Sequence, residues 1–162
     1  TQDAGYAAGV DVSKDILKMA VVERHKNTRH IGIGYLKGYG LKSGAVATSV
    51  AHDSHNIICV GTNDEDMAFA VNRIARNRGG IVVVENGQVL AELPLEIAGI
   101  ISGKPLREVN ALLEDAKKAA HALGVGTDID PFMTLSFMSL PVIPTLRLTT
   151  RGVVDVNTQQ YV

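Results

Sequence analysis

Asn86-Gly87 stands between two largely apolar runs at residues 81–85 and 88–93, and this arrangement does most to narrow the folds open to the chain. A two-residue type I′ turn needs positive φ at both central positions. Asparagine and glycine adopt it at little cost, and its twist matches that of an antiparallel ribbon. The spacing therefore predicts a β-hairpin. Gly79-Gly80 precedes it and stops a helix expected over residues 63–77. There Thr62 or Asn63 supplies the N-cap, Asp64, Glu65 and Asp66 complement the positive end of the dipole, and Met67, Ala70, Val71 and Ile74 recur on one face. A second helix is expected over residues 105–123, with Pro105 at its first position. Its apolar stripe is Leu106, Val109, Leu113, Ala116, Ala120 and Leu123, with His121 a solvated residue on the flank.

Three more apolar runs, at residues 16–24, 45–51 and 57–60, read as strands. Pro131, Pro141 and Pro144 keep the run 131–144 from being one long helix or a central strand; a short helix followed by an extended edge is expected, and the chain closes with the segments 146–149 and 153–156 around Arg151-Gly152. Only 4% of residues are aromatic and none is Trp, while 46% are hydrophobic, so Val, Ile, Leu and Ala must build the core. At 162 residues the chain makes one domain. Together these features predict an α/β or α+β fold, a single layered domain with a mixed β-sheet packed by helices. Residues 1–15 are small, polar and Gly/Ala-rich and read as a linker-like N-terminal segment, leaving 16–162 as the domain.

Sixteen Lys and Arg balance seventeen Asp and Glu for a net charge of -1. Such a chain has no electrostatic reason to bind nucleic acid or an anionic membrane. Cys59 lies alone in an apolar run, as suits a reducing compartment, and neither a membrane-spanning run nor a basic, apolar leader is present. A cytoplasmic location is expected.

The chemistry concentrates at His52, Asp53, Ser54, His55 and Asn56, five polar residues between two strand candidates. Such a block carries no packing advantage and implies hydrogen bonding, ligand contact or metal binding. His52 and His55 can share a metal across a turn, but the spacing is not HExxH, and third ligands such as His25 or Asp128 are distant in sequence. A Ser54 nucleophile lacks a GxSxG elbow. Glu23-Arg24-His25 closes the first strand, where α/β proteins often expose functional groups; a solvated strand end is the preferred reading. Gly32, Gly34, Gly38, Gly40 and Gly44 match neither the dinucleotide fingerprint nor the P-loop, and turns or bulges account for them.

Four segments taken in order, LKMAVVERH (17–25), AHDSHNIICVGTNDEDMAFAVN (51–72), GGIVVVENGQVLAELPLEIAG (79–99) and DPFMTLSFMSLPVIP (130–144), resemble the C-terminal domain of microbial adenine deaminases. The likeness spans nearly the whole chain. Tyr35 and Tyr39 stand where that family would carry phenylalanine. The resemblance implies an enzyme that hydrolyses adenine to hypoxanthine and ammonia, with a divalent metal, manganese or iron, held in an amidohydrolase (β/α)₈ barrel. That barrel is absent from this sequence, so no metal is expected here and the chain alone is expected to be inactive. The barrel domain of the same protein is the expected partner, within a homo-oligomer. His52, Asp53, Ser54, His55, Asn56, Glu23 and His25 are the expected substrate or interdomain residues. Two alternatives stay open, a stand-alone purine-binding or regulatory module without catalysis and a small metallohydrolase in its own right.

Overall fold

The computed structural model describes residues 8–162. Residues 1–7 of the expected linker-like segment 1–15 lie outside the described residues; within the rest of it, Val12–Lys14 forms a 3-10 turn capped by the Asp11 side chain. Six strands make the main sheet: β1 (Ile16–Val22), β2 (Ile31–Lys37), β3 (Ala45–Thr48), β4 (Ile57–Gly61), β5 (Gly80–Glu85) and β6 (Gln88–Pro94), ordered β2-β1-β4-β3-β5-β6. Three helices follow the chain as α1 (Asp64–Arg76), α2 (Leu106–Ala122) and α3 (Pro131–Met138). A small second sheet joins β7 (Leu146–Thr149), β8 (Gly152–Asp155) and β9 (Gln160–Tyr161).

The result is one α+β domain. Its strands depart from the expected mixed sheet, because every pairing among the described residues is antiparallel. The reason is the place of β3. It pairs antiparallel with both β4 and β5, so the two strands joined by α1 run the same way without touching. All four residues of β3 are buried, and Ala45 and Ala47 belong to the core under α1.

Strand alternation splits the core in two. Leu17, Met19, Val21, Ile58, Val60 and Val83 point to one face and pack with Ala116 and Ala120 of α2 and with Phe132 and Leu135 of α3. Ala20, Ala47, Cys59 and Val82 point to the other, under Met67, Ala70 and Ile74 of α1. Pro105 sits at the N-cap of α2 rather than inside it. His121 is not fully solvated; it is half-buried, its Nδ1 3.1 Å from the Val125 carbonyl. Two of the glycines are explained by the second sheet. A Cβ on Gly32 would collide with the Thr149 carbonyl, and one on Gly34 would press on Leu148, so their bare backbone lets β7 and β8 lie across β2.

The hairpin forms as expected, with Asn86 at φ 52° and Gly87 at φ 70°. Its turn is also held from outside. The buried Asp66 carboxylate accepts from the Asn86 amide at 3.1 Å, the Gly87 amide at 2.7 Å and the Asn63 side-chain amide at 2.9 Å. Asp66 thus fastens the first turn of α1 to the hairpin, a role beyond dipole complementarity. Asp66→Ala should lower unfolding free energy by about 1–3 kcal/mol, because two turn amides lose a charged acceptor. A urea-midpoint change worth less than about 0.5 kcal/mol would show that the turn holds itself.

Candidate functional site

β1 ends where β4 begins, with Val22 paired to Ile57. This antiparallel neighbourhood brings Glu23, Arg24 and His25 against the loop of His52, Asp53, Ser54, His55 and Asn56. The seven expected site residues, Glu23, His25 and His52 to Asn56, thus lie together at one end of the sheet, and among the described residues the candidate third ligand Asp128 is not grouped with them to hold a metal. Arg24 joins the parts: its Nε donates to the His55 carbonyl at 2.5 Å, its guanidinium also donates to the Ala98 carbonyl at 2.6 Å, and its amide donates to Asn56 Oδ1 at 3.4 Å. His25 Nε2 lies 2.6 Å from the Ser54 carbonyl. The Glu23 carboxylate turns back on its own segment and accepts from the amides of His25, Lys26 and Thr28 and from the Thr28 hydroxyl. These bonds, the Thr28 amide first, hold its pKa down at about 2, so Glu23 is an anionic turn anchor.

The loop itself is tightly folded. His55 adopts φ 48°, its amide donates to the Ala51 carbonyl at 2.6 Å, and its Nδ1 accepts from the Ala51 amide at 3.3 Å. That acceptor role places the proton of the neutral ring on Nε2. His52 stacks on Phe137 of α3, with ring centroids 5.3 Å apart, and meets the edge of His55 at 5.6 Å. The His52 carbonyl accepts from the Ser139 hydroxyl at 3.3 Å. Asn56 donates to Ser54 Oγ at 3.2 Å, while Asp53 and Ser54 stay exposed. A cavity of about 330 Å³ opens beside them, lined by Asp53, Ser54, Asn56, Leu140, Pro141 and Thr150.

This geometry suits hydrogen-bonded recognition. Among the described residues no three His, Cys, Asp or Glu side chains are grouped to hold a metal ion, and His25 is engaged with the Ser54 backbone. The Ser54 hydroxyl faces an amide donor, which cannot act as the base a nucleophile needs. Arg24, Phe137 and Ser139 were not among the expected site residues. Arg24 acts through backbone carbonyls, which leave no side-chain pattern, and the other two arrive from α3 some eighty residues downstream of the loop.

Burial lowers the His55 pKa from the ordinary 6.5, and the positive fields of His52 and Arg24 add to it against the opposing charge of Asp53. A base whose folded pKa is depressed contributes its full stability above the unfolded value and loses it as pH falls through the folded one. The Ala51 to His55 ring bond should therefore persist above pH 6.5 and weaken below it. NMR titration of the imidazole carbons should give His55 a midpoint under 6.5; a midpoint at or above that value would contradict the loop geometry.

A family model described as the adenine deaminase C-terminal domain matches residues 1–160. Among curated proteins, the chain is 54% identical over 147 residues to an adenine deaminase of Nitratidesulfovibrio vulgaris strain Hildenborough, covering 90% of this chain and 26% of the relative. It is 47% identical over 152 residues to the adenine deaminase of Bacillus subtilis strain 168, covering 94% and 26%. For the adenine deaminase of Listeria welshimeri the figures are 52% over 152 residues, covering 93% and 26%. The chain thus spans about a quarter of the length of the curated relatives it matches. This chain belongs to the adenine deaminase C-terminal domain family.

Proposed function

We propose that this domain is the C-terminal part of an adenine deaminase that converts adenine to hypoxanthine and ammonia, and that its polar sheet end faces the catalytic barrel upstream. The family match carries the first half of this reading. The second rests on the rigid presentation of His52, Asp53, Ser54, His55 and Asn56 beside an open cavity.

On this reading the ligands of a divalent metal, manganese or iron, belong to the barrel upstream; among the described residues no three His, Cys, Asp or Glu side chains are grouped to hold one. Bound there, that metal supplies an activated water. This domain contributes positioning. The neutral His55 ring presents an Nε2 proton, His52 is braced by Phe137, and the loop forms a wall that keeps bulk water from the mouth of the barrel. No helix among the described residues is long and apolar enough to cross a membrane. The reading takes the whole protein to be a cytoplasmic purine enzyme that works as a homo-oligomer.

In the full-length protein, His52→Ala and His55→Ala should each lower kcat/KM for adenine by about ten- to a hundredfold, the scale on which displaced positioning groups act. The measurement is steady-state ammonia release together with light scattering. Wild-type kinetics combined with wild-type oligomer size would overturn the reading.

A further inference from the structure

The face of the main sheet that carries α1 is only partly covered. α1 lies over β3, β4 and β5. The strip formed by β1 and β2 extends past it toward the edge of the sheet. In β2 the residues sharing this face are Ile31, Ile33 and Tyr35, opposite Val22, Ala20 and Lys18 of β1 in the antiparallel register. The three β2 side chains are 56%, 52% and 59% exposed. Their alternates, Gly32 and Gly34, face the second sheet, so β2 is covered on one side and bare and apolar on the other. It is also the outermost strand, and its only charge is Lys37 at the end. A row of large apolar side chains on an edge strand invites association unless another element covers it.

Where the polypeptide enters the domain identifies the cover. The Tyr35 hydroxyl donates to the Ala8 carbonyl at 3.1 Å. Gly9, at φ 82°, lies so close to the Tyr35 ring that a Cβ there would stand 2.6 Å from Cζ. The incoming backbone therefore crosses the end of this strip. The family places the domain on the C-terminal side of proteins of which it forms 26% of the length.

We infer that the Ile31, Ile33 and Tyr35 face of β2 is the docking surface for the domain that precedes this one in the same polypeptide. The occupant is intramolecular, and the contact is apolar, made by β-branched and aromatic side chains beside the half-buried Val22. It is distinct from the polar loop, which lies at the end of the sheet and not on this face. The inference rests on the family assignment and not on the role of the loop in turnover.

The test uses the full-length protein carrying Ile33→p-benzoylphenylalanine or, as a second site that keeps an aromatic ring, Tyr35→p-benzoylphenylalanine. After irradiation the product is sized under denaturing conditions and digested for mass spectrometry. The expected product has monomer mass and joins the β2 peptide to a peptide upstream of residue 1. A product of dimer mass would assign the face to a second copy, and products confined to residues 1–162, or none at either position, would leave the face without an upstream cover. Each of these results would overturn the inference. The readout is independent of catalysis, so it separates this claim from the proposed role of His52 and His55.

Discussion

The polar end of this domain depends on the guanidinium of Arg24. It donates to the carbonyls of His55 and Ala98, which lie more than forty residues apart in the chain. Charge-assisted donation to a backbone carbonyl is stronger than a neutral bond, and two such bonds from one planar group fix direction as well as distance. Gly99 completes the arrangement, because a Cβ there would run into the guanidinium. Its carbonyl accepts from Ser49 Oγ at 2.5 Å, and that same hydroxyl oxygen accepts from the Gly80 amide at 2.7 Å. The Arg24 cation thus connects the end of β1, the histidine loop and the turn after β6, and Ser49 ties that turn to the start of β5. Anchoring of this kind turns a polar loop into a rigid presenting surface, and a positioning role needs that rigidity.

The elements most legible in the sequence are those whose determinants are local. Asn86-Gly87 specifies its hairpin through the φ values of two residues. The α1 helix follows from Asn63, whose side chain caps the Asp66 amide, and from the spacing of Met67, Ala70 and Ile74. Sheet order was not legible, since it depends on which strands bury each other. β3 is short and built of small residues buried on both faces, and it fits between β4 and β5, which removes the parallel pairing that a strand, helix and strand in succession would suggest. The glycines at 32 and 34 were legible as special backbone positions, but the sheet that crosses them comes from more than a hundred residues later in the chain.

The same division holds at the site. Composition alone marks out His52 through Asn56, because five adjacent polar side chains between apolar strands need partners. The partners themselves are tertiary. Phe137 reaches His52 only because α3 packs beside the loop, and Glu23 proves to cap its own turn where its sequence position equally suited an outward-facing carboxylate. His52 and His55 do approach one another, yet their relation is edge to face, and one ring nitrogen is already bonded to the backbone. This arrangement favours a fixed tautomer in a wall of hydrogen-bonding groups over a pair of ligands converging on an ion.

The proposed function puts this anchored loop in the substrate site of the full-length protein. Hydrogen–deuterium exchange of the full-length protein, with and without saturating hypoxanthine, tests it most directly. If the loop lies there, amides of the peptide covering residues 51–56 exchange more slowly when product is bound, in step with peptides of the catalytic barrel. Slowing confined to the barrel, with unchanged exchange at residues 51–56, would contradict it.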